Sequence, residues 1–157
     1  MKKIALIMGS DSDLPIAKKA ADTLSAFGVP FEVHVFSAHR TPEEAARFSK
    51  SARENGFGVL IAVAGMAAHL AGAIAANTTL PVIGIPVNSG QLGGMDALLS
   101  TVQMPSGIPV AAVAVDGAVN AALLGIEMLS ICDGSLAEKL DQKRRTDAEK
   151  VLEKDTA

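Results

Sequence analysis

At 157 residues, 49% of them apolar, with a formal charge of -3, the chain has material for one hydrophobic core and no room for a second. It has no Trp, no Tyr and five Phe, so aliphatic side chains must fill the interior, which suits helix-on-sheet packing better than a large apolar ligand cavity. The acidic balance gives no footprint for a nucleic-acid partner, and a single cysteine, Cys132, excludes an intramolecular disulfide and fits a reducing compartment.

Residues 3–8 form an unbroken apolar run, as expected of a strand covered on both faces. The run is too short for a signal segment or a membrane span, so the expected location is the cytoplasm. Gly9-Ser10-Asp11-Ser12-Asp13 follows, and its short polar side chains suit a loop or a helix N-cap. Pro15 then occupies the first turn of a helix carrying Ile16, Ala20, Leu24 and Phe27 on one face, and Gly28 ends it. Phe31, Val33 and Val35 alternate with Glu32 and His34, which predicts a half-exposed, peripheral second strand with His34 toward solvent. Thr41-Pro42-Glu43-Glu44 reads as a capped helix start, with Thr41 as cap and Glu44 closing a capping box, and the helix runs to Gly56.

Residues 59–64 make a third strand, fully apolar, and 66–76 a small-sided helix. Residues 82–87 are a fourth strand interrupted by Gly84 and Pro86, and 94–103 another helix. A fifth strand is expected at 110–115, a helix at 118–131 and a charged terminal helix at 136–153. Met95, Met104 and Met128 read as core filling. Lys143-Arg144-Arg145 belongs to the solvated terminal helix.

Strands and helices alternate without a linker, which predicts a single domain over 1–157: a three-layer α/β sandwich around a five-stranded parallel sheet. A peripheral second strand and right-handed crossovers favour the flavodoxin-like order 2-1-3-4-5. Ligands of such sheets bind beyond the carboxyl ends of the strands, where the chain reverses direction. The loops meeting there are 9–13, 37–41 and 64–70.

Each of those loops has a functional and a structural reading. Ser10 and Ser12 at a helix start can hold a phosphate, while the carboxylates of Asp11 and Asp13 would repel one, so at least one of them is expected to face something else, such as ribose hydroxyls; the same residues also make an ordinary N-cap. In Ser37-Ala38-His39-Arg40-Thr41, Arg40 can grip a phosphate in bidentate fashion. His39 can accept and donate a proton near neutrality, although the two also fit a solvated surface pair. Ala67 and Ala68 let backbone N–H groups approach a carboxylate or carbon dioxide, with His69 either a second functional imidazole or a packing residue. The Gly-rich dinucleotide fingerprint, the Walker lysine, a nucleophile elbow and metal-ligand spacing are all missing from the sequence.

Several motifs occur together in one family. They are Met8-Gly9-Ser10-Asp11-Ser12-Asp13, Ser37-Ala38-His39-Arg40-Thr41-Pro42, Ala67-Ala68-His69-Leu70, Val102-Gln103-Met104-Pro105, Gly107-Ile108-Pro109-Val110 and Asn120-Ala121-Ala122-Leu123-Leu124. By these, from about residue 3 to 132, the chain resembles the class I N5-carboxyaminoimidazole ribonucleotide mutases of purine biosynthesis. The resemblance implies a homo-octamer of cofactor-free, metal-free isomerase subunits whose neighbours help build each site. It implies substrate contacts at Ser10, Asp13 and Arg40, with Ser12 and Ser37 around the phosphate. It implies an essential acid/base at His39 and a histidine beside the substrate carboxylate at His69. Where the family commonly has Gly-Gly-Ala-Ala-His-Leu-Pro-Gly, this chain has Met66 at the second position and Ala71 at the seventh. The 88–96 segment matches loosely and reads as a covering loop.

Two other readings share the fold. A class II carboxylase would use free carbon dioxide, but carries Ser-Asn where this chain has Ala68-His69. A receiver-type signalling module needs an acceptor Asp after the third strand, where this chain has Ala64-Gly65.

Overall fold

The computed structural model describes residues 1–155. Five parallel strands, β1 (Lys3–Met8), β2 (Phe31–Val35), β3 (Phe57–Gly65), β4 (Val82–Val87) and β5 (Ala111–Ala112), lie in the order β2-β1-β3-β4-β5, as expected. Ile4 pairs with Phe31 on one side and Val59 on the other, so β1 is an interior strand, while β2 closes an edge with mostly exposed residues.

The strand side chains alternate between two cores. Ile4, Leu6, Val59, Ile61, Val63, Ile83 and Ile85 meet helices α1 (Leu14–Phe27), α5 (Ala118–Ser130) and α6 (Gly134–Asp155). Ala5, Ile7, Leu60 and Ala62 face α2 (Pro42–Ser51) and α3 (Leu70–Ala75). Helix α4 (Met95–Val102) lies on that second face, where the Thr101 methyl packs over Gly84 beside Ala71. Helix α1 begins with Pro15 in its first turn and ends at Gly28, whose φ of 71° lets its N–H reach back to Leu24 O and Ser25 O. Glycine takes that conformation without the Cβ clash other residues meet. Only the start of α6 is buried, through Leu136 and Leu140; Lys139 Nζ caps the end of α1 at Phe27 O, 2.7 Å away.

Several expectations need correction. The helix predicted over 66–76 spans only Leu70–Ala75. Met66 adopts φ 53°, a left-handed conformation that clashes sterically in any non-glycine residue. Tight turns follow, with Ala68 N donating to Met66 O at 2.9 Å and His69 N to Ala67 O at 2.8 Å. The fifth strand, expected over 110–115, stops at Ala112. Val113 N still reaches Gly84 O, but Pro86 has no N–H with which to extend the ladder. Helix α2 ends at Ser51 rather than near Gly56, in turns that close at Gly56 with φ 85°.

Side-chain placements differ as well. Thr41 makes no side-chain cap to α2, so the capping box is absent. His34 is half-buried: its ring stacks on Phe36 at 5.4 Å and tilts against Phe48 at 4.5 Å. Aromatic pairs of this kind are worth about 0.5–1.5 kcal/mol beyond their area, which outweighs a solvent-facing rotamer. Met95 is exposed rather than core filling, because it lies on the outer face of α4 with Leu99 and Val102.

Candidate active site

All five strands run the same way, so the turns after β1, β2, β3 and β4 emerge at one end of the sheet. Met8 O accepts from Phe36 N at 2.9 Å, and Gly9 N donates to Val63 O at 3.0 Å. The ladder is thereby continued past the strand ends, and the turns are drawn together. Between them lies a cleft of about 620 Å³ lined by Gly9, Ser10, Ser12, Asp13, Ser37, Ala38, His39, Arg40, Ala64, Gly65, Met66, Ala67, His69, Leu70 and Ser89. A larger cavity of about 960 Å³ lies where β4 and β5 begin, at the opposite end of the sheet. Its lining carries no imidazole, and it lies away from the chain reversal at which ligands bind such sheets.

The first turn forms a single 3-10 turn, Asp11–Asp13, capped by Ser10. Ser10 Oγ accepts from Ser12 N at 3.3 Å and from Ser12 Oγ at 3.0 Å, so both hydroxyls sit at one corner of the cleft. Asp13 is only 5% exposed. Burial pushes its carboxyl above the ordinary value, against a backbone hydrogen bond from Ser10 that lowers it; the neighbouring Asp11 charge adds to the rise.

The second turn is held by the hydroxyl expected to cap α2. Thr41 Oγ1 accepts from Ser37 N at 2.9 Å and donates to Ser37 O at 3.2 Å. This clamp closes a turn whose exposed crest carries His39 and Arg40. Arg40 is tied back by Nη2 to Gly9 O at 3.3 Å and lies 3.4 Å from Ser37 Oγ through Nε. One edge of the guanidinium is thus braced against the first turn, while its other donors remain free for a ligand.

The third turn faces the second. His39 Nε2 lies 2.9 Å from His69 Nδ1, with the rings edge-on at 83° and their centroids 5.0 Å apart. Two imidazole nitrogens at that distance hold one proton between them, as donor and acceptor. Gly65 cannot carry a side chain, since a Cβ there would collide with Ser89.

Of the residues singled out from sequence, Ser10, Ser12, Asp13, Ser37, His39, Arg40, Ala67 and His69 line this one cleft. Ala68 does not. Its side chain is 2% exposed and its N–H is spent on Met66 O, because the left-handed turn at Met66 rotates it inward. Ser89 was missed, although strand order alone puts the turn after β4 beside the turn after β3.

Asp13 should report its own burial. With the folded carboxyl titrating above its ordinary 3.8, the stability belonging to the protonated form is fully present below 3.8. It is lost as pH rises through the higher folded value. Asp13→Asn keeps a neutral side chain at every pH, so its melting temperature exceeds the parent's at pH 7 and the gain vanishes below about pH 3.8. Thermal melts from pH 3 to 8 check this; a variant that is no more stable at pH 7 would contradict the account.

Residues 3–150 match the family described as AIR carboxylase. The chain is 56% identical over 151 residues to the N5-carboxyaminoimidazole ribonucleotide mutase of Pyrococcus horikoshii, covering 96% of this chain and 85% of that protein. It is 53% identical over 152 residues to the mutase of the same name from Bacillus subtilis, covering 96% and 94%. The crystal structure of Treponema denticola PurE superposes with a TM-score of 0.83 at 29% identity, over 98% of this chain and 96% of that one.

Proposed function

Because this chain belongs to the AIR carboxylase family, we propose that it is an isomerase of purine biosynthesis. It converts N5-carboxyaminoimidazole ribonucleotide into 4-carboxyaminoimidazole ribonucleotide, as a single catalytic domain using neither metal nor organic cofactor. The observation that carries the reading is the His39–His69 contact at 2.9 Å, set over a cleft that also holds Ser10, Ser12, Ser37 and Arg40. One half of the cleft suits a phosphate and the other a proton transfer.

In this reading the nucleotide phosphate sits among Ser10, Ser12, Ser37 and the free donors of Arg40, and Asp13 takes the ribose hydroxyls. The carbamate C–N bond breaks, releasing carbon dioxide, and His39 delivers a proton to the exocyclic nitrogen. Ring carbon 4 then attacks the retained carbon dioxide beside Ala67. His39 recovers the proton from that carbon, which restores aromaticity, so the sum is proton-neutral. His69 Nδ1 steadies His39 Nε2 as that ring gives up and recovers its proton. Retention matters because holding two reactants in register is worth roughly 7–11 kcal/mol over a diffusive encounter.

His39, Arg40 and His69 are exposed on the isolated chain, and we assign the closure of the cleft to neighbouring subunits of a homo-octamer. Helix α4 presents Met95, Leu99 and Val102 to the outside, an apolar row that subunit contacts would cover. Among the described residues no helix is long and apolar enough to cross a membrane, in keeping with a cytoplasmic enzyme.

The reading is tested by offering purified protein the carbamate nucleotide, or aminoimidazole ribonucleotide with bicarbonate. Turnover of the carbamate at low bicarbonate is expected. Turnover of only the second pair makes the protein a class II carboxylase.

A further inference from the structure

Resting on the mutase reading, we propose that Ser89 is a further substrate-binding residue, donating a hydrogen bond to the migrating carboxylate, and that Asp116 is the residue that positions it. Ser89 is the first residue but one beyond β4 and lines the cleft. Its side chain lies directly over Gly65, where no Cβ fits, so the hydroxyl occupies space that a side chain on β3 would otherwise take. Ser89 is an exposed residue whose hydroxyl has no hydrogen-bond partner among the described residues, whereas the hydroxyls of Ser10, Ser12 and Thr41 are all engaged.

The cleft is polarised along the sheet. Ser10, Ser12, Ser37 and Arg40 come from the turns after β1 and β2. A nucleotide anchored there by its phosphate lays its base toward the turns after β3 and β4. Besides His69, whose Nδ1 is engaged with His39, Ser89 is the polar side chain on that far wall, next to Gly65, Met66 and Ala67. A hydroxyl so placed meets the carboxylate, not the phosphate.

The turn that presents Ser89 is pinned from an element outside the cleft. Asp116 Oδ1 accepts from Asn88 N at 3.0 Å, and Asp116 N donates to Pro86 O at 2.9 Å. One residue thereby holds the end of β4 at the two positions flanking Val87 and fixes the Val87–Asn88 peptide, one residue before Ser89. To do so Asp116 holds φ 58°, a conformation that Asp and Asn tolerate better than other side chains. The side chain and the strained backbone serve the same contact.

The experiment measures steady-state kinetics with the carbamate nucleotide, plus inhibition by aminoimidazole ribonucleotide, which lacks the carboxylate. Turnover by the parent protein is required first; its absence refutes the mutase reading and not the Ser89 assignment. Ser89→Ala should raise KM for the carbamate about tenfold, as for loss of one hydrogen bond to a charged group. Inhibition by aminoimidazole ribonucleotide should stay within about twofold, since that ligand offers no carboxylate to lose. Asp116→Gly, which relaxes the backbone but removes the acceptor, should give the same KM rise. Asp116→Asn, whose amide oxygen accepts from the same N–H, should restore the parent value. If Asp116 acts through Ser89, the double variant Ser89→Ala/Asp116→Gly is no worse than Ser89→Ala alone. An unchanged KM in Ser89→Ala, or equal weakening of both ligands, overturns the substrate contact. Additive effects in the double variant overturn the positioning role, and where Asp116→Gly fails to fold, failure of Asp116→Asn to keep the parent KM does so.

Discussion

His39→Asn abolishes turnover, with kcat falling by about 10³-fold or more, while substrate binding and melting temperature stay near the parent values. General acid–base catalysis contributes roughly 10²–10⁴-fold, and in the proposed mechanism one imidazole both gives and recovers the proton. Asn keeps a polar side chain of similar reach at the crest of the 37–41 turn, so the Thr41 clamp below it is undisturbed. The ring is exposed, which leaves no cavity to destabilise the fold. His69 lies 2.9 Å away on another turn, and in the proposed mechanism it steadies His39 and does not replace it. Single-turnover kinetics with a binding isotherm would measure the effect. More than a tenth of the parent rate in the variant would remove His39 from the proton path.

Arg40→Ala raises KM by about 10²-fold, with a smaller effect on kcat. The guanidinium donates to Gly9 O at 3.3 Å and lies 3.4 Å from Ser37 Oγ. In the proposed binding mode it therefore meets the phosphate already oriented, having lost its side-chain freedom before binding. Hydrogen bonds to a charged group are worth about 1.5–3 kcal/mol each, and a bidentate pair reaches the upper part of that range. Arg40→Lys separates charge from geometry. Its ammonium keeps the attraction but cannot hold Gly9 O and a phosphate with one planar fork, so a KM rise of about tenfold is expected. If Lys proves equivalent to Arg, the brace to the first turn contributes nothing, and bulk electrostatics explain the affinity.

Much of this architecture was legible in the residues. The run at β1, the alternation at β2 and the spacing of later elements led to the observed strand order, and that order placed the cleft before any side chain was considered. The misreadings share a cause: local patterns were overruled by contacts that a linear reading does not contain. Met66-Ala67-Ala68-His69 has helical composition, yet the left-handed Met66 folds it into turns that turn Ala68 away and leave His69 opposite His39. Thr41 matches a cap, but Ser37 on its other side offers the hydroxyl better partners. His34 reads as an outward residue of an edge strand until Phe36 and Phe48 enclose its ring. Ser89 carried no motif; its place depends on Gly65 across the ladder and Asp116 from the next loop.

The two faces of the sheet are unequally clad. One carries α1, α5 and the buried start of α6, while the other has the ten-residue α2, the six-residue α3 and α4 with its bare outer row. His39 and His69 hang at the entrances to α2 and α3, so the chemistry is mounted on the lighter cladding. Anything that bridges the two rings must therefore brace that whole layer, and amide protons in α2 and α3 would exchange more slowly once the cleft is filled, far beyond the atoms the nucleotide touches.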